Sequence, residues 1–157
     1  MRQQFAKLVH AEMLKNKNLY FLTGDLGMFV LDDLKKDYPS RFINVGAAEQ
    51  SMLDIAVGLT HAGKNVICYS ISPFILYRPF ETIRTYINHD QLPIVLVGSG
   101  RDADYAHDGF SHFEGDAMGI MSNFENISCF WPTPEKLEQF VKKLLTFKYP
   151  AYLNLQK

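Results

Sequence analysis

The sequence has little excess charge and no long apolar run, and each shortage excludes a class of protein. Its formal net charge is −1 at pH 7, so nothing indicates binding to nucleic acid or to an anionic membrane. No apolar run is long enough to cross a bilayer as a helix. The rest is ordinary for one globular domain of 157 residues, with 47% hydrophobic and 21% charged residues.

Several familiar motifs are also missing. The chain contains neither GxGxxG nor GxxxxGK[ST], which argues against a dinucleotide or phosphate loop of its own. No cysteines and histidines have zinc-site spacing, and Ser111-His112 lies in no GxSxG elbow. The two cysteines, Cys68 and Cys129, fall in apolar strand-like segments. We expect them to be reduced core residues in a cytoplasmic protein, with a disulfide between them as the less favoured alternative.

What is present is an alternation of strand-like and helical patterns. Apolar runs predict strands at residues 19–22, 42–45, 66–70, 94–97, 127–131 and 151–155. Amphipathic patterns predict helices near residues 5–13, 28–36, 48–61 and 75–88, a short helix after residue 114, and a last helix that begins at Thr133-Pro134. We therefore predict one α/β domain over residues 1–157, a doubly wound, mainly parallel sheet with helices on both faces.

Polar and aromatic residues follow the predicted strand ends. Ligands of doubly wound sheets bind at the carboxyl ends of the strands. Asp25, Glu49 and Phe74 each follow one predicted strand, and the Gly- and Asp-rich 99–114 loop follows another. We expect these residues and this loop to converge at one edge of the sheet.

The segment NVGAAEQSMLD, residues 44–54, carries the most chemical information. It runs from a strand through small residues into a helix whose first turn holds Glu49. A carboxylate there, shielded from water, could hold a proton near neutral pH and hand it to a ligand nitrogen. The alternative is that Glu49 only complements the helix dipole, since acidic residues favour first turns. The segment by itself leaves both interpretations open.

Five motifs in a fixed order resemble one family. They are TGDLG at 23–27, PSRFINVGAAEQSMLDIAVGLTHAGK at 39–64, FILYRPFETIR at 74–84, LPIVLVGSG at 92–100 and HDGFSH at 107–112. Together they resemble the pyrimidine-binding domain of the transketolase family of thiamine-diphosphate enzymes, over almost the whole chain. The most specific part is the pattern that runs from Arg41-Phe42 through Gly46 and Glu49-Gln50 to Met52.

The resemblance implies roles at the cofactor. In the family, the glutamate that matches Glu49 hydrogen-bonds the N1′ nitrogen of the aminopyrimidine ring and favours its imino tautomer, which makes this residue catalytic. Phe74 is the implied stacking partner of that ring, with Tyr77 as the alternative, and either could simply be a core residue. Asp25 matches an acidic position near the cofactor, or it belongs to an ordinary Asp-Leu-Gly turn.

The resemblance places the substrate at the 99–114 loop. Asp108 and His112 match the family signature D-G-x-[TS]-H, whose aspartate bonds a hydroxyl of the donor sugar and whose histidine bonds near its carbonyl. A histidine can move protons near neutral pH, so His112 is the second catalytic candidate. Phe110 and Phe113 depart from the proline and glutamine common in the family, which leaves the substrate open.

Two further basic residues of the loop are candidates for a sugar phosphate. Arg101 and His107 lie on either side of the loop's centre, at positions that the family pattern does not fix. The alternative is that each is a charged loop residue in solvent, and this alternative is favoured for Arg101.

The resemblance also implies a partner. Transketolases bind the cofactor's diphosphate and its Mg²⁺ through a GDG…N motif on another domain, and this sequence has no such motif. We therefore expect a split enzyme, with a diphosphate-binding partner subunit and an α2β2 heterotetramer. The expected reaction transfers a two-carbon ketol unit from a ketose or ketose phosphate to an aldose. The alternatives are a 2-oxoacid decarboxylase subunit, a synthase joining pyruvate to an aldehyde phosphate, or a binding domain without catalysis.

Overall fold

A computed structural model describes all residues, 1–157, and contains one six-stranded sheet. The strands are β1 Leu19–Thr23, β2 Phe42–Asn44, β3 Asn65–Ile71, β4 Val95–Ser99, β5 Ser128–Phe130 and β6 Ala151–Leu155. Their order in the sheet is β2-β1-β3-β4-β6-β5, and every neighbouring pair is parallel. The predicted class, an α/β fold with a parallel sheet, is confirmed.

Helices cover both faces of this sheet. They are α1 Arg2–Lys15, α2 Asp32–Asp37, α3 Glu49–His61, α4 Ser72–Tyr77, α5 Phe80–Thr82, α6 Ala117–Met121 and α7 Leu137–Leu144, with a π-helical segment Ile83–His89 after α5. Side chains of a strand alternate between faces. Ile67 and Tyr69 of β3 therefore join the core under α1, α2 and α7, whereas Cys68 joins the core under α3, α4 and α6. No helix is both long and apolar enough to span a membrane.

The helix predicted at 28–36 begins late, at Asp32. Gly27 and Phe29 have positive φ angles of 96° and 63°, which a helix cannot contain. The backbone N–H groups of Val30 and Leu31 instead close a turn on the carbonyl of Gly27. The amphipathic pattern of the segment is real, but its first residues form a turn.

The helices predicted at 75–88 and from Thr133 also differ from the structure. Pro79 interrupts the first, because proline has no N–H to continue the hydrogen-bond ladder, and α4, α5 and the π-helical segment replace one continuous helix. The last helix begins at Leu137, since the N–H of Lys136 bonds the carbonyl of Thr133 in a preceding turn.

Arg41 fixes the entry to β2. Its guanidinium donates to the carbonyl oxygens of Met13 at 2.9 Å, Asn16 at 2.9 Å and Leu19 at 3.2 Å. Carbonyls at the end of a helix lack partners within the helix, and a cation there also suits the helix dipole. One side chain of the family-like motif thus joins the end of α1 to the strand that leads to Glu49.

Candidate active site

Glu49 is the first residue of α3 and is 1% exposed. Its Oε1 accepts a hydrogen bond from Ser70 Oγ at 2.6 Å, and its Oε2 accepts one from Arg78 Nη1 at 2.5 Å. A buried carboxylate is costly unless it is hydrogen-bonded and paired with a charge, and Glu49 has both. Complementing a helix dipole requires no such burial, so the geometry favours a role beyond the dipole.

Gly24 forms the wall next to this carboxylate. A Cβ atom at residue 24 would lie 2.7 Å from Glu49 Oε1 and 3.0 Å from Ser70 Oγ, closer than side chains approach. The first residue after β1 must therefore be glycine for the carboxylate to occupy its position. This contact gives a physical reason for the glycine of the TGDLG motif.

Phe74 of α4 lies next to the same pair. The guanidinium carbon of Arg78 is 3.8 Å from the centre of the Phe74 ring, within the range of a cation–π contact. The His112 ring meets Phe74 edge-on, with 4.9 Å between ring centres. Residues from α3, β3, α4 and the 99–114 loop thus form one cluster. We call Gly24, Glu49, Ser70, Phe74 and Arg78 the Glu49 centre.

Tyr77 faces a different neighbour. Its hydroxyl donates a hydrogen bond to Asp116, the residue before α6. Burial raises the pKa of the Tyr77 hydroxyl above its ordinary value, and the hydrogen bond and charge of Asp116 raise it further. Phe74, in contrast, contacts the arginine that binds Glu49. Of the two aromatic candidates, Phe74 is therefore the one that the structure joins to the Glu49 centre.

Asp25 is exposed and joined to β2 instead of to Glu49. Its backbone N–H donates to Asn44 Oδ1 at 3.1 Å, and Asn44 Nδ2 donates to Asp25 Oδ1 at 3.1 Å. Asn44 Oδ1 also accepts from the N–H of Gly46 at 2.9 Å. Asp25 has a φ of 54°, so it lies in a tight turn. A role of Asp25 at the cofactor stays a prediction.

The 99–114 loop brings only one of its candidates to the cluster. His112 is half-buried against Phe74, and its Nδ1 lies 3.0 Å from Ser111 Oγ. Asp108 and His107 are exposed and pair with each other, with 3.4 Å between His107 Nε2 and Asp108 Oδ2. No contact joins these two residues to Glu49, and their substrate roles stay predictions.

Arg101 is not a charged loop residue in solvent, and that interpretation of it was wrong. Its guanidinium donates to Asn154 Oδ1 at 3.1 Å and to the carbonyl oxygen of Asn154 at 2.5 Å. Its backbone N–H also donates to Asp104 Oδ2 at 3.0 Å. The donors that could meet a phosphate are thus used to tie the start of the loop to β6.

Glu114 is a buried acid that the sequence did not reveal. It is 3% exposed, and its carboxylate accepts hydrogen bonds from Asn154 Nδ2 at 2.7 Å and from the N–H of Asp102 at 2.8 Å. Burial raises its pKa to about 7, against the opposing effect of these hydrogen bonds. Since the N–H of Glu114 also bonds the carbonyl of Asp102, this residue closes the base of the loop.

Sequence reasoning also passed over the partners of Glu49. Ser70 lies near the carboxyl end of β3, where the strand-end rule directs attention. Arg78 stands four residues after Phe74, a spacing that brings side chains together along a helix. Both signals were present. Glu114 gave none, because a loop has no periodicity that marks a buried residue.

The arrangement suits a flat heteroaromatic ligand with a protonatable nitrogen. Glu49 offers a buried acceptor, Gly24 removes the side chain that would fill the space beside it, and Phe74 offers an aromatic ring nearby. These are the groups that an aminopyrimidine ring requires. No group of three or more histidine, cysteine or acidic side chains in the chain could hold a metal ion.

Known proteins share this sequence and this fold. A family model described as the pyrimidine-binding domain of transketolase matches residues 1–157. One of the two subunits of an apulose-4-phosphate transketolase, from Actinobacillus succinogenes, is 31% identical over 121 residues, covering 76% of this chain and 39% of that protein. A 6-deoxy-6-sulfo-D-fructose transketolase subunit from a Clostridium species is 24% identical over 157 residues, covering 99% of this chain and 49% of that protein.

A solved structure described as a split gene transketolase, inactive β4 tetramer, superimposes with a TM-score of 0.85. It is 26% identical, and the match covers 99% of this chain and 50% of that one. This chain spans about half the length, or less, of the curated relatives described above. Sequence, fold and the match over all 157 residues agree, and the chain belongs to the transketolase family, in which it corresponds to the pyrimidine-binding domain.

Proposed function

We propose that this chain supplies the aminopyrimidine pocket and the catalytic carboxylate of an enzyme that transfers a two-carbon ketol unit from a ketose or ketose phosphate to an aldose. The family implies the use of thiamine diphosphate. The observation that carries the proposal is the buried Glu49, hydrogen-bonded by Ser70 and placed beside Gly24 and Phe74. Bound thiamine diphosphate supplies the nucleophilic carbon of the reaction.

Glu49 acts on the N1′ nitrogen of the aminopyrimidine ring. A carboxyl group that is shielded from water shares a proton with a ring nitrogen more readily than one in solvent. Ser70 orients Oε1 through its 2.6 Å hydrogen bond, so the proton is shared through Oε2. Phe74 stacks on the ring and holds its plane in line with the carboxylate.

The 99–114 loop acts at the substrate. His112, beside Phe74, is the residue placed to bond the donor sugar near its carbonyl and to move a proton there. Asp108 is exposed and free to accept a hydrogen bond from a sugar hydroxyl. His107 extends the same exposed surface toward a phosphate group, whereas Arg101 supports the loop from below.

A partner subunit completes the enzyme in this proposal. Residues 1–157 contain no GDG…N motif, so the diphosphate and its Mg²⁺ are held by other residues. Relatives named as subunits of split transketolases support the assignment of those residues to a second protein. We further propose that residues 1–157 act as a single pyrimidine-binding domain within an α2β2 heterotetramer.

The test is proton exchange at C2 of the cofactor in the assembled two-subunit enzyme. Glu49→Gln keeps the size and helix propensity of the residue but cannot exchange a proton as a carboxyl group does. Loss of general acid–base catalysis costs about 10²–10⁴-fold in rate, and we expect both exchange and ketol transfer to fall by at least that factor. The matched control is Glu81→Gln, an exposed acid in the first turn of α5. Wild-type exchange in the Glu49 variant would show that Glu49 has no catalytic role.

A further inference from the structure

Arg78 contacts both groups that the proposed pocket offers to the cofactor. Its Nη1 donates to Glu49 Oε2 at 2.5 Å, and its guanidinium carbon lies 3.8 Å from the centre of the Phe74 ring. A guanidinium is flat, donates N–H groups in its own plane and stacks on aromatic faces. An aminopyrimidine ring bound as proposed does the same three things at the same two residues.

The two flat groups exclude each other. Glu49 Oε2 accepts the arginine at a charge-assisted distance, and a ring nitrogen would take that same oxygen, since Oε1 is used by Ser70. A separation of 3.8 Å between guanidinium and ring centre leaves no layer for a second planar group on that face of Phe74. A bound ring therefore requires the guanidinium to leave.

Arg78 is free to leave, whereas Glu49 is not. The Arg78 side chain is 40% exposed and the Glu49 side chain 0%. Arg78 follows the last residue of α4 and precedes Pro79, so it stands at a break between helices. Its guanidinium has no hydrogen-bond acceptor other than Glu49. Rotation about its side-chain bonds can move the charge to solvent without unfolding an element.

We propose that the guanidinium of Arg78 competes with the aminopyrimidine ring of thiamine diphosphate for Glu49 and Phe74, and that cofactor binding proceeds by displacing it. This inference rests on the proposed function, which gives the ring to the same two residues. Before binding, Arg78 balances the charge of the buried carboxylate. After displacement, the proton shared with the ring nitrogen takes over that part, so no buried charge is left without a partner.

The experiment measures cofactor affinity by calorimetry, in the assembled enzyme with Mg²⁺ present. Removal of the competitor in Arg78→Ala should tighten binding about threefold to thirtyfold, the range expected for one cation–π and ion-pair contact. Arg78→Lys keeps the charge but not the flat stacking group, and its affinity should lie between the two. Arg84→Ala is the matched control, because Arg84 is an exposed arginine of the adjacent π-helical segment and makes no ion pair.

A second measurement separates competition from a general change in the pocket. Millimolar methylguanidinium should restore the competitor in Arg78→Ala and weaken cofactor binding to that variant, while the wild-type affinity stays the same. Weaker or unchanged binding in Arg78→Ala, or no effect of methylguanidinium on it, overturns the inference. Glu49→Gln and Phe74→Ala distinguish the two levels: if both also leave cofactor affinity unchanged, the proposed function itself is wrong.

Discussion

The Glu49 centre and the 99–114 loop meet at one edge of the sheet but are built differently. Glu49 is buried, both its oxygens are bonded within 2.6 Å, and Gly24 leaves no free space beside it. Asp108 and Phe110, in contrast, are exposed and lie between two short 3₁₀ turns. A proton has to be moved over a fixed short distance, whereas a sugar can be met by residues that adjust.

The comparison also explains which part of the loop is fixed. Its base is tied to the sheet through Glu114 and Arg101, which both bind Asn154 of β6. Its tip has only the pair of His107 with Asp108, at 3.4 Å. The loop thus holds its ends as firmly as the Glu49 centre holds its carboxylate, and leaves the substrate side open to change.

The sharpest way to break the comparison is Gly24→Ala. The added methyl would lie 2.7 Å from Glu49 Oε1, so the carboxylate must shift. A misplacement of about 1 Å can cost about 10²-fold in rate, and we expect ketol transfer by the assembled enzyme to fall at least that far. Steady-state kinetics measure it. Gly58→Ala, in the open middle of α3, is the control and should leave the rate unchanged. Similar rates in both variants would mean that the tight fit at Gly24 is unimportant.

Asp108→Ala and His112→Ala test the adaptable side. Each removes a hydrogen bond to a charged or ionisable group, worth about 1.5–3 kcal/mol, which corresponds to about tenfold to a hundredfold in kcat/KM for the ketose donor. We expect cofactor affinity to stay near the wild-type value in both variants. The measurement is KM for the donor beside the cofactor dissociation constant. Parallel losses in the two constants, with a lower melting temperature, would indicate that these residues only brace the loop.

Phe74→Ala against Tyr77→Ala sharpens the border between the two regions. Loss of an aromatic stacking contact costs about 0.5–1.5 kcal/mol beyond buried area, which weakens cofactor binding about twofold to tenfold. We expect this effect for Phe74, which lies against Arg78, and little effect for Tyr77, whose hydroxyl is bonded to Asp116. Titration calorimetry on the assembled enzyme decides it, and the reverse ranking would move the stacking position to Tyr77.

The smallest expected effect is a pH dependence at the base of the loop. The pKa of Glu114 is raised to about 7, well above the ordinary carboxyl value that it regains on unfolding. Between these values the folded chain binds more protons than the unfolded one, so this group's stabilisation is full at low pH and is lost as pH rises through about 7.

Glu114→Gln removes this titration. We expect the wild-type melting temperature to fall by a few degrees more than that of the variant between about pH 5 and about pH 8, since ~1 kcal/mol corresponds to about 2–4 °C in a chain of this size. Asp108→Asn, an exposed acid of the same loop, is the control and should follow the wild type. Equal slopes in all three proteins would contradict the raised pKa of Glu114.

The parts of the site that the sequence predicted are those set by periodic patterns. Apolar runs located the strands, and the strand-end rule brought Glu49, Phe74 and the loop to one edge, as observed. What it could not predict depends on side-chain direction. Arg78 lies on Phe74, and Arg101 turns inward to Asn154, through rotamers that no spacing determines. The positive φ of Phe29 and the break at Pro79 likewise shortened helices whose apolar pattern continues.

The hydrogen bonds of Glu49 also bear on how the chain folds. Its partners Ser70 and Arg78 lie 21 and 29 residues away in sequence, and the wall at Gly24 comes from before β2. Contacts between distant segments form only after the intervening chain has closed into loops, which is slow. The carboxylate therefore acquires its surroundings only when β1, β3 and α4 have all docked onto the sheet. A partly folded chain holds no partial version of this pocket, so the appearance of cofactor affinity during refolding would mark a late step.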